Sequence, residues 1–498
     1  MLVISLDNLG PAVVTLVGLV RIAVVGSTAG LLLNCSLPTV VAKQPEMRLL
    51  MMQAGPNEEG TTHFSRLALA GETRLVASEV YRKDSTGFDH GYRHGRIVMY
   101  DLAAAEVADP PQLDKLWQVA IDDPEGSAGD AIVSSEADRL AVGVGGQVFF
   151  GGYQDVARGG DRGTGPPTRH AFLGGIAPDG SVIARRSSLQ EPGEIYGVSA
   201  DSSLICFAGT KGEASWNYIA CKPGGFLMRC RQDDLDVQQL EDEYPKYGGE
   251  TGSCVFLACR TLLTGDALVL GYGRESREES QHYILRKSDP DGSTIWEQQI
   301  PSPSRNAMDA RLQIDSSGNA YVATSLPDDK DGFSLAKFSP EGSRVWERSF
   351  NRPQSADATD AIRDLVVTPE GVSFVAFATR VFRLSTDGAL RSRDASIRDA
   401  ILERLEKQRE AVREAMQEQA AQSVRQEMQE ATEEEIEEAV EEAKKNVRLP
   451  PVALDGRPAD ATGPFNRNRF SIESIAVSPD HQVYVASRNF LFTFSWTE

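Results

Sequence analysis

LQIDSSGNAYVA (Leu312 to Ala323), followed by SLAKFSPEGSRVWERSF (Ser334 to Phe350), decides the fold of this chain. Each segment is a pair of alternating apolar stretches around a small polar turn; Gly supplies a positive dihedral in both, and in the second Pro340 presets the dihedral before it. Together they describe four short consecutive strands. The first pattern recurs as LALAGETRLVA (Leu67 to Ala77), AIVSSEADRLAVG (Ala131 to Gly143), YGVSADSSLICF (Tyr196 to Phe207), RTLLTGDALVLG (Arg260 to Gly271), LVVTPEGVSFVA (Leu365 to Ala376) and IAVSPDHQVYVA (Ile475 to Ala486). The turns centre near residues 71, 137, 201, 265, 317, 370 and 480, so five of the six gaps span 52 to 66 residues. A strand-and-turn repeat of that period reads as a β-propeller, each hairpin being the inner half of one blade.

The second pattern supplies the outer strands. It recurs as YILRKSDPDGSTIWEQQI (Tyr283 to Ile300), and more weakly as FLGGIAPDGSVIARR (Phe172 to Arg186), YIACKPGGFLMRC (Tyr218 to Cys230) and VFRLSTDGALRSR (Val381 to Arg393). Trp296 and Trp346 read as packing between neighbouring blades. The last repeat ends the chain after three strands, while Met47 to Gln53 has no hairpin partner of its own. That segment is expected to complete the last blade and remove an exposed edge. The predicted fold class is therefore all-β: a seven-bladed β-propeller with an inserted α-helical arm between the sixth and seventh blades.

Asp315-x-x-Gly-Asn-x-Tyr-Val and Phe333-x-x-x-Lys337-Phe-x-Pro-x-Gly342-Ser-x-x-Trp346 resemble the repeat of the seven-bladed β-propeller (SBBP) family of bacterial surface and secreted proteins. The match is close in the fifth blade, good in the fourth and degenerate elsewhere. The resemblance implies a fold and an extracytoplasmic setting. It implies no catalytic residues.

The chain has 498 residues, 41% of them apolar and 25% charged. A propeller carries that length because each blade packs only on its neighbours. The formal charge of −21, without a basic stripe, excludes nucleic acid as a natural partner and disfavours electrostatic docking on anionic lipid. Residues 1–45 read as a signal or anchor segment. Pro11 to Leu33 is apolar apart from Arg21, long enough to span a bilayer. Arg21, Ile22 to Leu33 and then Cys35 also have signal-sequence anatomy. Leu32-Leu33-Asn34-Cys35 resembles a bacterial lipobox, which implies lipidation at Cys35; Asn34 departs from the small residue that pattern wants. Cleaved secretion, a lipoprotein and an uncleaved segment all remain open, and the first two place the rest of the chain in the cell envelope or outside it.

Residues 46–393 hold six blades and the closing strand, 394–448 a helical insertion, 449–468 a return loop and 469–498 the seventh blade. The insertion has no Gly or Pro and consists almost wholly of helix formers. Thr432 with Glu435 fits a capping box, and Lys444 and Lys445 suit a helix end. One straight helix from Ile397 to Asn446 would be roughly 75 Å long at about 1.5 Å per residue. The tail from Val447 to Asn468 returns at most about 70 Å even fully stretched. A bend is predicted near Thr432 or near Gln422 and Ser423. Gly151 to His170 reads as a second insertion, a loop rich in Gly and Arg.

Asp130, Asp309 and Asp360 each precede the inner strand of a blade, where a ring of acids at one mouth of the channel would hold a cation or a basic group. Glu427 to Glu442 contains nine glutamates and no basic residue; Glu433, Glu434, Glu437 and Glu438 are its candidate docking residues for a basic partner. Cys206 and Cys221 sit on consecutive predicted strands and form a candidate disulfide. His90 and His94 are flanked by glycines and read as loop residues. No C-x-x-C pair, Gly-x-Ser-x-Gly elbow or phosphate loop occurs, so no metal and no cofactor is expected. The leading expectation is a non-catalytic, monomeric, extracytoplasmic platform binding a protein partner or extracellular ligand, tethered to a membrane if its N-terminus is retained or lipidated. The alternatives are a propeller hydrolase or lyase with its site at the channel mouth, and an envelope-assembly scaffold lipoprotein.

Overall fold

The computed structural model describes residues 46–52, 63–82, 93–103, 113–121, 131–157, 168–200, 204–211, 224–242, 253–274, 282–301, 310–326, 332–351, 362–377, 380–391, 395–396, 432–446, 472–487 and 490–495, with separate positions between 410 and 425. Its strands build consecutive antiparallel meanders. The first joins His63–Leu69, Arg74–Arg82, Arg93–Asp101 and Asp114–Ala120. Three more four-stranded sheets start at Ser253–Thr261, Ala310–Ile314 and Ile362–Val367. Between the first of these and the opening sheet lies a seven-stranded one, because Val182–Ser199 is a single strand of 18 residues shared by two meanders. It pairs first with Thr168–Ile176 and then with Leu204–Lys211. Pro192 falls near the handover between partners, where a missing N–H costs the ladder least.

The last sheet is built from both ends of the described chain. Ile472–Val477, Gln482–Ser487 and Phe490–Ser495 follow one another, and Glu46–Met52 adds as the outer strand, from Glu46 opposite Ser495 to Met52 opposite Phe490.

The first strands of successive meanders touch in cyclic order. His63–Leu69 contacts Ala131–Val142, the contacts pass through the end of Val182–Ser199, Ser253–Thr261, Ala310–Ile314 and Ile362–Val367 to Ile472–Val477, and that strand returns to His63–Leu69. This closed ring of radially stacked sheets is a β-propeller. The core lies between sheets: Phe149, Ile195, Phe207 and Phe226 share one cluster, and Tyr321, Phe333, Val375 and Phe377 another.

Outer strands are fastened by a repeated device. The indole N–H of Trp117 donates to the Pro178 carbonyl at 3.0 Å, that of Trp296 to Pro340 at 2.8 Å and that of Trp346 to Thr386 at 3.3 Å. Each acceptor stands two residues before a turn glycine of the next sheet. A Cβ on Gly342 would lie 2.7 Å from the Trp296 ring, and one on Gly388 3.0 Å from that of Trp346. These glycines serve the turn through their positive φ and also leave room for the indole.

Two readings of the sequence need correction. Residues 151–157 are not loop; they continue the strand Val148–Ala157, which pairs with Thr168–Ile176. Pro223-Gly224-Gly225 is not the turn between outer strands either. Gly224–Arg231 is already the third strand, and the turn comes at Gln232 to Asp236, with Leu235 at φ 57°. Gly225 is there for closeness: a Cβ would meet the Phe256 ring of the next sheet at 3.1 Å.

Candidate functional site

Polar side chains on the inner strands form a continuous belt around the ring axis. Arg66 Nε donates to the Asp138 carbonyl at 2.8 Å, and Arg139 Nε to the Tyr196 carbonyl. The Thr261 amide donates to Ser199 Oγ at 2.9 Å, and Arg260 Nε to Gln313 Oε1 at 2.9 Å. Arg311 Nε reaches the Arg363 carbonyl at 2.9 Å, Ser474 Oγ donates to Asp364 Oδ2 at 2.6 Å, and the Leu67 amide donates to Ser474 Oγ at 3.1 Å. Every neighbouring pair of inner strands is thereby joined, and the belt returns to its start.

Arg66 does more than bridge neighbours. Its Nη1 donates to the Glu473 carbonyl at 2.8 Å and approaches the Arg363 carbonyl at 3.4 Å, two strands away around the ring. Asp364 lies 3.9 Å from the same nitrogen. Burial and the nearby Arg139 act against the Arg66 charge and lower its pKa, while Asp364, Asp138 and Glu473 support it.

A second group lies between Ala131–Val142 and the end of Val182–Ser199. Tyr153 donates its hydroxyl to Glu136, and the Arg169 guanidinium lies 3.5 Å from the centre of the Tyr153 ring. Arg169 donates to Asp155 at 3.0 Å and to Glu194 at 3.1 Å, and the Tyr196 hydroxyl is 3.3 Å from Glu194. Burial, then repulsion from Asp138, pushes the Glu194 carboxyl up to about 7, against the pull of Arg169 and Arg139. The folded chain therefore holds a proton that the unfolded one releases near 4.5. Its contribution to stability is present at acid pH and declines as pH rises from the unfolded value towards about 7. Glu194→Gln is expected to flatten that part of the stability–pH curve and to gain on the native chain at pH 8, read from urea midpoints across pH 5 to 8. An unchanged slope in the variant would refute the assignment.

Asp315 belongs to the scaffold. It accepts from the Asn319 amide and side chain, sits 3.1 Å from the Tyr321 hydroxyl and 3.3 Å from Lys337 Nζ. Burial alone would raise its pKa; the hydrogen bonds from Asn319, then Lys337 and Tyr321, outweigh that and lower it. Four of the motif residues, Asp315, Asn319, Tyr321 and Lys337, thus meet at one turn, the last of them from the third strand.

Of the residues expected to matter, Asp130, Asp309, Asp360, Cys35, His90 and Cys221 lie outside the described residues. Cys206 is a buried, reduced cysteine paired across the strands with Arg229 and Ser199. Its neighbouring strand begins only at Gly224, so the described strands do not set Cys221 opposite it. His94 stacks near Tyr81 with ring centres 5.8 Å apart. Helix α1 spans Glu433–Asn446 and carries Glu433, Glu434, Glu437 and Glu438, of which Glu433, Glu437 and Glu438 are exposed. Gln417 Nε2 donates to the Lys444 carbonyl at 3.1 Å, and Ala421 and Val440 are both buried. The sequence does not single out the inner-strand arginines, whose shared signal is their recurrence on first strands.

Among the described residues no helix is long and apolar enough to cross a membrane, and no group of three or more His, Cys, Asp and Glu has the geometry to hold a metal ion. No family model matches the chain, and no curated protein matches it. Among solved structures it is similar to a streptogramin B lyase (8% identity, 91% of this chain and 98% of that one, TM-score 0.43). It is also similar to the β-propeller domain of the Trilobed protease from Pyrococcus furiosus (9%, 88% and 96%, TM-score 0.41). A protein of unknown function from Dyadobacter fermentans aligns at 10% identity over 69% of this chain and 96% of its own, with a TM-score of 0.40. At these scores the propeller assignment rests on the sheet order and the closed ring.

Proposed function

We propose that this chain is a seven-bladed β-propeller that works as a non-catalytic binding platform outside the cytoplasm, with the helical insertion as its docking arm for a protein partner or extracellular ligand. The carrying observation is topological. In antiparallel meanders alternate connections emerge at the same face. The tight turns, such as 177–181, 289–293, 339–343 and 385–389, therefore share one face, while the longer connections and the insertion between Ala395–Ser396 and Ile472–Val477 leave from the other. Loops gathered on one face of a rigid scaffold are a usual place for recognition. The arm adds exposed Glu433, Glu437, Glu438, Glu441 and Glu442 at that attachment, a surface suited to a basic partner. The extracytoplasmic setting rests on the apolar N-terminal segment and on the SBBP-like repeat.

Affinity capture from native membranes and culture fluid, read by mass spectrometry, tests this reading. Deleting residues 394–448 is expected to abolish capture while leaving the thermal unfolding of the propeller within a few degrees of the native value. If every captured partner remained after the deletion, the arm would not be the docking element. A second reading, a hydrolase or lyase, draws on Glu194: a carboxyl titrating near neutrality beside Tyr196 and Arg169 has the properties of a general acid or base. Hydrolysis or elimination by the native chain that disappears in Glu194→Gln would favour it.

A further inference from the structure

Cys206, Cys230, Cys254 and Cys259 are buried thiols. Two of them face each other across the gap between the third and fourth meanders. Side chains alternate along Leu204–Lys211. Ile205 and Phe207 pack toward the preceding sheet, with Phe149 and Leu173. Cys206 and Ala208 instead share a core with Cys254, Phe256 and Cys259 of the following sheet. Cys259 points back across the gap, its thiol donating to the Cys206 carbonyl oxygen at 3.2 Å.

The two sheets are pinched together at this level. Gly197 stands opposite Ala208, and a Cβ on it would lie 2.7 Å from both the Ala258 Cα and the Cys259 nitrogen. Ser199 is the cross-strand neighbour of Cys206; its Oγ accepts the Thr261 amide at 2.9 Å and lies 3.1 Å from Thr261 Oγ1. Contacts on either side of Cys259 therefore hold it against the strand pair that carries Cys206. Packed sheets ordinarily stand about 10 Å apart, whereas a disulfide needs Cα atoms within roughly 7 Å. Gly197 removes the side chain that would keep the strands at the ordinary spacing.

The other two thiols are placed differently. Cys254 Sγ lies 3.3 Å from where a Cβ on Gly225 would be, and Gly225 pairs with Thr210 at the far end of the strand from Cys206. Cys230 belongs to the core on the opposite side of its sheet.

We infer that Cys206 and Cys259 form a redox-closable staple between the third and fourth meanders, a disulfide in an oxidising compartment and two thiols in a reducing one. The oxidant is a low-molecular-weight disulfide such as glutathione disulfide. A cysteine thiolate attacks it to give a mixed disulfide, and the second cysteine displaces the bound thiol. The Cys206–Cys259 bond forms, the oxidant's sulfur–sulfur bond breaks, and the two electrons and two protons leave with its two thiols. Both cysteines are buried, so the exchange belongs to folding, before the sheets close. The link spans 53 residues of sequence and restricts the unfolded chain more than the folded one. The inference is independent of the docking arm, because neither cysteine lies in it.

The test is refolding of the full chain from denaturant in a glutathione redox buffer and, in parallel, in dithiothreitol. The oxidised product is expected to be lighter by two hydrogens, to yield one peptide joining Cys206 to Cys259, and to unfold about 5 °C above the reduced chain. Cys259→Ala should keep the native circular dichroism spectrum and lose the joined peptide and the redox dependence of unfolding. Cys254→Ala and Cys230→Ala should keep both. A reduced Cys206 or Cys259 in the folded, oxidised product overturns the staple, as does a link from Cys206 to Cys221. A joined chain that unfolds below the reduced one overturns it too. The chain lacking residues 394–448 should still form the link whether or not it captures partners, so the two readings fail separately.

Discussion

A chain lacking residues 1–53 is expected to lose its cooperative fold or to unfold at least 10 °C below the full chain, and to self-associate. A chain lacking only residues 1–44 should behave as the full chain does. The difference between them is the strand Glu46–Met52, the outer member of a sheet whose other three strands come from the opposite end of the described sequence. Its register with Phe490–Ser495 supplies about six backbone hydrogen bonds at roughly 1 kcal/mol each, so its loss costs on the order of 5 kcal/mol. The consequence is also topological. Phe490–Ser495 becomes an edge with Leu491, Phe492 and Phe494 along it, all buried in the intact ring. An apolar unpaired edge is a template for another chain. Thermal unfolding followed together with light scattering separates the two variants. Equal midpoints and a monodisperse solution for the chain starting at residue 54 would show that the ring holds without its closing strand.

The hairpin turns and the closing segment are legible in the sequence because they depend on local chemistry: Gly318, Gly342 and Gly388 sit at positive φ, and the alternation around them fixes which residues pair. Local chemistry also misleads where a glycine answers to a distant neighbour. Gly152 and Gly209 lie within strands, and glycine is needed there because a Cβ would lie 1.9 Å from the Glu136 carbonyl oxygen and 2.2 Å from that of Glu194. Such closeness to another strand leaves no trace in spacing, and so 151–157 reads as loop. The turn at Leu235 carries neither Gly nor Asn at its positive-φ position, so it escapes a search for turn residues. The belt is the least legible part. Arg66 meets the backbone of Glu473 across 407 residues of sequence, and nothing near Arg66 marks it as more than a strand arginine. Attention to acids led instead to Asp130, Asp309 and Asp360, on connections outside the described residues.

Arg66→Ala is expected to destabilise the chain by about 3 to 5 kcal/mol. The side chain is 15% exposed and donates at 2.8 Å to the Asp138 carbonyl and at 2.8 Å to that of Glu473, with a weaker approach to Arg363. Hydrogen bonds to a charged group contribute about 1.5 to 3 kcal/mol each, and removal leaves partly buried carbonyls without their donor. The three carbonyls belong to three different sheets, so the loss weakens the ring at its axis. Arg66→Lys retains the charge but cannot span two carbonyls from one planar head, and should recover less than half of the loss. Arg344→Ala is the control. Its partner Glu347 stands three residues along the same strand, both side chains are more than 40% exposed, and such pairs contribute about 0 to 1 kcal/mol. Urea denaturation of the three variants ranks them. If Arg66→Ala lay within about 0.5 kcal/mol of the native chain, as ordinary surface substitutions do, the belt would be a packing detail and would not hold the ring together.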